Sequence, residues 1–339
     1  MMWRDELSRL VEVEGGLDSP VKSEVLVRAR DWKDLAELLS FSSRRGLKVH
    51  VMGEGGHHIG EKLKCDVAVS MRELRGIQEI SPEDLFVTVY SGTRFQDLLE
   101  KLRKDGLIIP FHYEGTTGGF ASTNLPSYAS FFHGYPRDWL LGAEVITGLG
   151  ERITTGSKTT KFSSGYKIWK ALSGSLGKLG IYVSLTIRLI PLPESMSVVE
   201  IDPEKLDSIL KRRPWGVTLV RRERWRAFAV FAGPSKYVQR VTEGLREVDP
   251  ITCEGERVTS IMTPRGMELT YVSSLNAECI TSYYGTGYSR LFNGESPRTL
   301  RSKGLVAIGE KGCDRECLPE PTKSFLMLKN ALDPYNVFV

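Results

Sequence analysis

Two short stretches combine many glycines with few bulky side chains: Gly53-Glu54-Gly55-Gly56-His57-His58 and Thr116-Thr117-Gly118-Gly119-Phe120-Ala121-Ser122. Successive glycines can aim several backbone N–H groups at one anion. They also let a ligand approach the main chain closely. One such loop is explained equally well by a structural turn, but two in one domain suit a ligand carrying two phosphates. The first is not the dinucleotide fingerprint G-x-G-x-x-G, because His58 takes the third glycine position and no helix opens after it. The stretch GSLGKL at 174–179 has the wrong spacing for a phosphate-binding Walker loop. His57 and His58 are neighbours along the chain, and adjacent side chains seldom converge on one ion. No metal site is expected.

The elements that must position these loops follow from hydrophobic periodicity. EVLVRAR alternates as a strand, DWKDLAELLSFSSRRG opens on an Asp cap and ends at Gly46 as a helix, and LKVHVMG is a second strand. The first glycine loop therefore follows a strand directly. DVAVSM and LFVTVYSG read as strands, and FQDLLEKLRKDG as a helix ending at Gly106. EGTTGGFASTNLPSYASFFHGYPRDW reads as a long loop whose aromatics argue against disorder. LLGAEVITGLGERITTG predicts a hairpin turned at Leu149-Gly150, GYKIWKALSGSLGKLG a short helix, and IYVSLTIRLIPLPE a long strand. Pro191 and Pro193 mark a boundary. Beyond them the order strand–helix–strand–strand–helix–strand, its last strand at ITC, predicts a ferredoxin-like unit that continues raggedly to 319. A final helix starts at Pro321 and stops at Asp333-Pro334. No internal repeat is evident.

Composition bounds the function. At 339 residues, with 41% hydrophobic and 26% charged residues, the chain suits two soluble domains. A net charge of +4 argues against a dedicated nucleic-acid binder. The basic run Arg221, Arg222, Arg224 and Arg226 reads as a solvated strand face. No apolar run reaches the roughly 18–20 residues of a membrane span, and the N-terminus lacks a secretory signal; a cytoplasmic protein is expected, peripheral to a membrane at most through partners. Five scattered cysteines do not suggest a disulfide framework. Cys313 and Cys317 have the wrong spacing for a zinc knuckle and read as a reduced pair or a local disulfide. Three Gln and five Asn are few, which suggests a thermophilic source.

The order of motifs is more specific than any one of them. V-x-x-G-x-G-G at 51–56 is followed by L-F-V-T-V-x-S-G-T at 85–93 and T-T-G-G-F-A-S-T-N at 116–124. R-D-W-L-L-G-A-E-V-I-T-G-x-G at 137–150 comes next, then G-Y-K-I-W-K-A-L-S-G-S-L-G-K-L-G-I at 165–181, and K-N-A-L-D-P-Y-N-V-F at 329–338 closes the series. Over about 20–193 and 321–339 the chain resembles the vanillyl-alcohol-oxidase-type flavoproteins, which carry a PCMH-type FAD domain. Within them it looks most like the smaller flavin subunit of glycolate oxidases.

The resemblance implies an α+β fold. Residues 1–193 would be an FAD-binding domain of two α/β subdomains, 194–319 a smaller ferredoxin-like cap for substrate, and 320–339 a C-terminal helix returning to the FAD domain. It implies that Gly53, Glu54, Gly55, Gly56, His57 and His58, with Thr117, Gly118, Gly119, Ala121 and Ser122, wrap the FAD pyrophosphate. Gly177, Gly180 and Ile181 would lie against adenine and ribose. Arg137 and Asp138 would begin the strand after the isoalloxazine-side loop, and Lys161, Ser164 and Tyr166 would approach the flavin. Some relatives bond a histidine at the position of His57 covalently to flavin; the subunits most like this chain are expected to hold FAD non-covalently.

Oxidising a 2-hydroxy acid at flavin calls for a base near the hydroxyl and a cation for the carboxylate. The family's catalytic dehydrogenases carry an H-x-G-D-G-N-x-H-like cap motif. Here the five histidines stand at 50, 57, 58, 112 and 133, and none falls in 194–319. The nearest equivalent, residues 282–290, offers Tyr284, Tyr288 and Arg290 as catalytic candidates, while His112 and His133 are weaker candidates for a base. Three readings remain. The chain is an FAD subunit of a 2-hydroxy-acid dehydrogenase complex with a larger catalytic flavin subunit and an iron–sulfur subunit, a self-sufficient FAD oxidoreductase of a sugar, alditol or phosphorylated alcohol, or a non-catalytic flavin-fold scaffold.

Overall fold

The computed structural model describes residues 2–18, 21–55, 59–60, 63–158 and 166–339. Two large sheets build the first half, beside a two-stranded ribbon of Leu107–Ile108 and Ile190–Pro191. In one, Val21–Arg28 and Val49–Met52 both pair in parallel with Leu63–Ser70, and Val13–Gly15 adds an antiparallel edge. The crossover helix Trp32–Arg45 starts where the Asp31 carboxylate accepts the Lys33 and Asp34 amides, and it ends at Gly46 in the left-handed conformation. Its buried Leu35, Leu38 and Leu39 pack on Val27, Val49 and Val67.

The second sheet is antiparallel, in the order Ile77–Ser81, Phe86–Tyr90, Ile181–Arg188, Leu140–Ile146, Arg152–Gly156. The hairpin predicted at Leu149-Gly150 is its last pair, with Gly150 at φ +81. The helix Phe95–Lys104 buries Phe95, Leu98 and Leu102 against this sheet. The segment read as a long loop holds three short helices, Thr117–Thr123, Ser130–His133 and Pro136–Trp139. Local capping, invisible to periodicity, makes the first: the Thr116 hydroxyl accepts the Gly119 amide, and Asn124 ends it at φ +50. Arg137 and Asp138 therefore precede the strand Leu140–Ile146 rather than begin it. Pro136 fixes the first helical position there, and Asp138 accepts the Tyr135 amide.

The second half corrects the ragged reading. Ser195–Ile201, Gly216–Arg221, Trp225–Gly233 and Arg246–Glu247 form the expected ferredoxin-like unit, with the last strand at 246–247 and not at ITC. Val258–Met262, Cys279–Tyr283, Tyr288–Phe292 and Val306–Lys311, with helices Glu268–Val272 and Pro297–Ser302, repeat the same order. In each unit the sheet runs fourth strand, first, third, second. The second strands, Gly216–Arg221 and Cys279–Tyr283, pair edge to edge and fuse the units into one eight-stranded antiparallel sheet. The repeat is structural: the two units share element order and sheet order, not residues, so no sequence repeat announced it. Fusion also leaves fewer unpaired edges than two separate units would.

Two disulfides tie this half: Cys313–Cys317 is the local bridge that was one of its two expected states, while Cys253–Cys279 was not anticipated from the scattered cysteines. The first anchors the irregular segment 250–257 to the central strand Cys279–Tyr283. The arginine-rich run is not simply solvated. Arg226 forks onto Glu200, and Arg221 donates to the Ser273 and Leu275 carbonyls. Residues 323–339 return to the first half, where Lys329 donates to the Lys178 and Phe338 carbonyls and Val49 donates to Val337. Among the described residues no helix is long and apolar enough to cross a membrane.

Candidate flavin site

A cavity of about 120 Å³ opens where the two sheets of the first half meet. His50, Val51 and Met52, from the end of a parallel strand, form one wall. Ile181 and Tyr182, from the start of an antiparallel strand, form another. Gly53, Gly55, Gly118, Gly119, Ser122, Gly177 and Gly180 line it. A second cavity of about 530 Å³ shares Gly53, Gly55, Tyr113, Thr116 and Gly119 and adds Glu54, Arg94 and His112. The chain thus brings both glycine loops and the segment 177–181 to one groove.

Glycine is required for close approach at several of these points. A Cβ at Gly53 would stand 2.5 Å from Thr116 Oγ1, and one at Gly118 would stand 2.9 Å from Ser91 Cβ. The two loops and the strand end at Ser91 touch backbone to side chain. Gly177, at φ +79, has nothing within 4 Å on its Cβ side and faces open space.

The two loops do not offer their amides equally. The Thr117 and Gly118 amides donate to the Thr93 and Ser91 carbonyls, and Gly119 donates to Thr116 Oγ1. The second loop is a capped helix start whose first donors are already used. Among the described residues the Gly53, Glu54 and Gly55 amides have no hydrogen-bond partner, so the first loop holds the free donors. Glu54 is fixed from outside, its carboxylate pairing with Arg94 at 2.9 Å and its carbonyl accepting from Arg72. Arg94 brings a positive charge to the wall of the second cavity.

The groove fits a large phosphorylated cofactor. Its loops leave little room for Cβ atoms, and neither the N–H groups of Gly53, Glu54 and Gly55 nor the buried Ser91 hydroxyl on its wall has a partner among the described residues. The expected Gly56, His57, His58, Lys161 and Ser164 lie outside the described residues. Thr117 and Ala121 are fully buried beneath the groove, Thr117 donating to the Tyr90 carbonyl, and support it from behind. Arg137, Asp138 and Tyr166 do not line either cavity; Tyr166 is 88% exposed. Residues not singled out from sequence, His50, Ser91 and Tyr113, form much of the wall, beside Tyr182 at the end of the segment expected against adenine and ribose. Ser91 belonged to the quoted S-G-T motif; Tyr113 carried no signal of its own.

The candidate catalytic residues separate. Strand alternation sets Tyr288 and Arg290 on one face of the eight-stranded sheet, while Tyr284 packs on the other face near Leu219 and Phe231. Arg290 Nε lies 2.9 Å from Glu310, whose side chain is 2% exposed, and the Tyr288 hydroxyl donates to the other oxygen of the same carboxylate. Tyr283 stacks on Tyr288 with ring centres 6.0 Å apart. Burial pushes the Tyr288 hydroxyl well above its ordinary range, and Glu310 adds to this. Tyr288 is therefore a donor and not a base. Burial opposes the charge on Arg290, but the Glu310 carboxylate beside it outweighs this and raises its pKa. Glu310 is near enough to Tyr113, on the cavity wall, to reinforce the upward push that burial gives that hydroxyl. Sequence reasoning missed Glu310, which reads simply as a polar position in a strand.

Of the histidine candidates, His112 is an exposed residue on the second cavity. His133 sits between the Trp139 and Trp215 rings, with centres 5.5 and 4.6 Å away, and its buried Nε2 has no partner among the described residues. Burial, with Arg188 nearby, takes its pKa down from 6.5 to about 4. An unfolded chain then binds a proton that the folded one refuses. Stability associated with neutral His133 is complete above about pH 6.5 and drains as pH falls toward 4. His133→Phe should flatten this part of the stability–pH curve, by about 2 kcal/mol after discounting for partial exposure. Chemical denaturation at pH 7 and 4.5 checks it; an unchanged slope would show that His133 is not the titrating group.

Comparison with known proteins agrees with this geometry. Residues 23–156 match the family model described as FAD binding domain. The chain is 28% identical over 198 residues to D-lactate dehydrogenase of Anaerostipes hadrus, covering 57% of this chain and 42% of that protein. It is 30% identical over 126 residues to glycolate oxidase subunit GlcE of Escherichia coli strain K12, covering 36% of each. The solved structure of an alkyldihydroxyacetonephosphate synthase superposes over 93% of this chain and 76% of that one, with TM-score 0.64 at 14% identity. The chain matches less than half the length of its curated relatives. It carries a PCMH-type FAD-binding domain, with the α+β fold and the cofactor that implies.

Proposed function

We propose that this chain is an FAD-dependent oxidoreductase subunit acting on the CH–OH group of 2-hydroxy acids of the glycolate or lactate type. It works within a complex that has a larger catalytic flavin subunit and an iron–sulfur electron acceptor. In this reading residues 1–193 form the FAD domain, 194–319 the cap and 320–339 the returning helix. The relatives named as lactate dehydrogenases and glycolate oxidase subunits support the substrate class.

The observation that carries the subunit reading is the state of Arg290. A lone arginine would hold a substrate carboxylate, but this one is already paired to buried Glu310, and residues 194–319 contain no histidine. Charge and base are both less available than a self-contained dehydrogenase needs.

Bound FAD would accept the hydride. The chain's own residues do the rest. Gly53, Glu54 and Gly55 bind phosphate through their amides, while Gly118 and Gly119 keep the second loop against Ser91. Gly177, Gly180 and Ile181 receive the adenine end. Thr117, Ala121 and Ser122 fix the second loop. A thermophilic cytoplasm would suit the scarce amides and the two disulfides.

Purified chain loaded with FAD and mixed anaerobically with D-lactate or glycolate should bleach at 450 nm slowly alone and at least tenfold faster with its partner subunits. Full-speed bleaching by the chain alone would instead establish the self-sufficient reading. Such bleaching by a sugar or alditol would move the substrate class as well.

A further inference from the structure

The Cys313–Cys317 disulfide closes a short loop directly after the strand Val306–Lys311. That loop reaches the flavin groove in two steps. The Gly309 amide donates to the Cys317 carbonyl at 2.7 Å, and the Gly309 carbonyl accepts from the Gly60 amide at 3.0 Å. Gly60 immediately follows Ile59, which lines the groove, and its vacant Cβ side faces Leu318 at 3.5 Å. A Cβ on Gly309 would meet Cys313 at 2.6 Å, so strand and disulfide are in van der Waals contact.

The loop is not relaxed by itself. Glu316 is held at φ +52, a conformation a non-glycine residue rarely adopts, and its carbonyl accepts from Arg301. Opening the ring lets Glu316 leave that conformation and frees the Cys317 carbonyl from Gly309. With a sequence separation of only 4, the ring adds little to global stability, so its loss acts locally.

We propose that the Cys313–Cys317 disulfide is a redox latch on the FAD site: closed, it holds Gly60 and, next to it, Ile59 on the groove wall; reduced, it lets that wall loosen and speeds FAD release. The proposal rests on the reading of the groove as an FAD site. Cys313 is partly exposed and Cys317 fully buried, so a dithiol attacks Cys313. The S–S bond breaks and a mixed disulfide forms. The donor's second thiol then resolves it, leaving two cysteine thiols and an oxidised donor, with two electrons and two protons transferred.

The test measures FAD release from the full chain, by recovery of flavin fluorescence after dilution, before and after treatment with dithiothreitol. Reduction should speed release roughly tenfold, the equivalent of about one net hydrogen bond. The double variant Cys313→Ser/Cys317→Ser should release FAD at the fast rate with or without dithiol, with little change in melting temperature. Equal rates for oxidised and reduced protein would overturn the latch. A double variant that still responds to dithiol would also overturn it and assign the effect to Cys253–Cys279. A chain that takes up no FAD in either state would refute the FAD reading itself.

Discussion

Gly53→Val should weaken FAD binding about 10- to 100-fold while leaving the chain folded, since the overpacking involved costs roughly 1–3 kcal/mol. The valine Cβ would stand 2.5 Å from Thr116 Oγ1 and 2.9 Å from its Cγ2. Thr116 cannot step aside freely. It is 3% exposed, and its hydroxyl caps the helix Thr117–Thr123. The clash is relieved by parting the two glycine loops, which removes the free Gly53 and Glu54 amides from any phosphate seated between them. Titration of the apoprotein with FAD, followed by fluorescence quenching, gives the dissociation constant. Gly53→Ala, with the same Cβ and no branches, should fall between the valine variant and the wild type. An affinity within twofold of wild type for the valine variant would mean that the loop does not touch the cofactor.

The second large effect concerns Glu310. Glu310→Ala removes the carboxylate that answers Arg290 and accepts from Tyr288, leaving a guanidinium with 26% side-chain exposure and no counter-charge in a packed sheet. Breaking such a pair from one side typically costs about 3–5 kcal/mol, because the surviving charge remains desolvated. Denaturant unfolding should show that loss as a shift in midpoint with little change in slope. The double variant Arg290→Met/Glu310→Leu should recover part of it, since it removes the unpaired charge but still leaves the buried Tyr288 hydroxyl without its acceptor. If Glu310→Ala unfolds at the wild-type midpoint, water must reach Arg290, and the guanidinium would then be open to a substrate carboxylate after all.

Much of the groove was legible because its parts are backbone features that sequence encodes directly. The glycines of 53–55 and 118–119, the strand before the first loop, and the hairpin at Leu149-Gly150 each follow from a local rule, and the order of motifs joined them. What was not legible was long-range. Tyr113 and His50 line the cavity because two sheets meet there, and nothing near either residue says so. The second loop looked like a set of phosphate donors, but capping by Thr116 and contacts with Ser91 and Thr93 use those amides.

The repeat in the second half escaped for a similar reason. Its two units share strand order and sheet order, which are fixed by how the strands pair rather than by residue identity. Arg290 was singled out as a cation, yet its partner Glu310 lies 20 residues away. Which charges are free is decided only when strands pair. Cys253 and Cys279, separated by 26, joined for the same reason.

The most direct test of the central claim is the absorption spectrum of the purified chain after incubation with FAD and removal of excess, before and after acid precipitation. Flavin bands near 370 and 450 nm are expected at close to one FAD per chain, released to the supernatant by acid. A protein that stays colourless after reconstitution would contradict that claim.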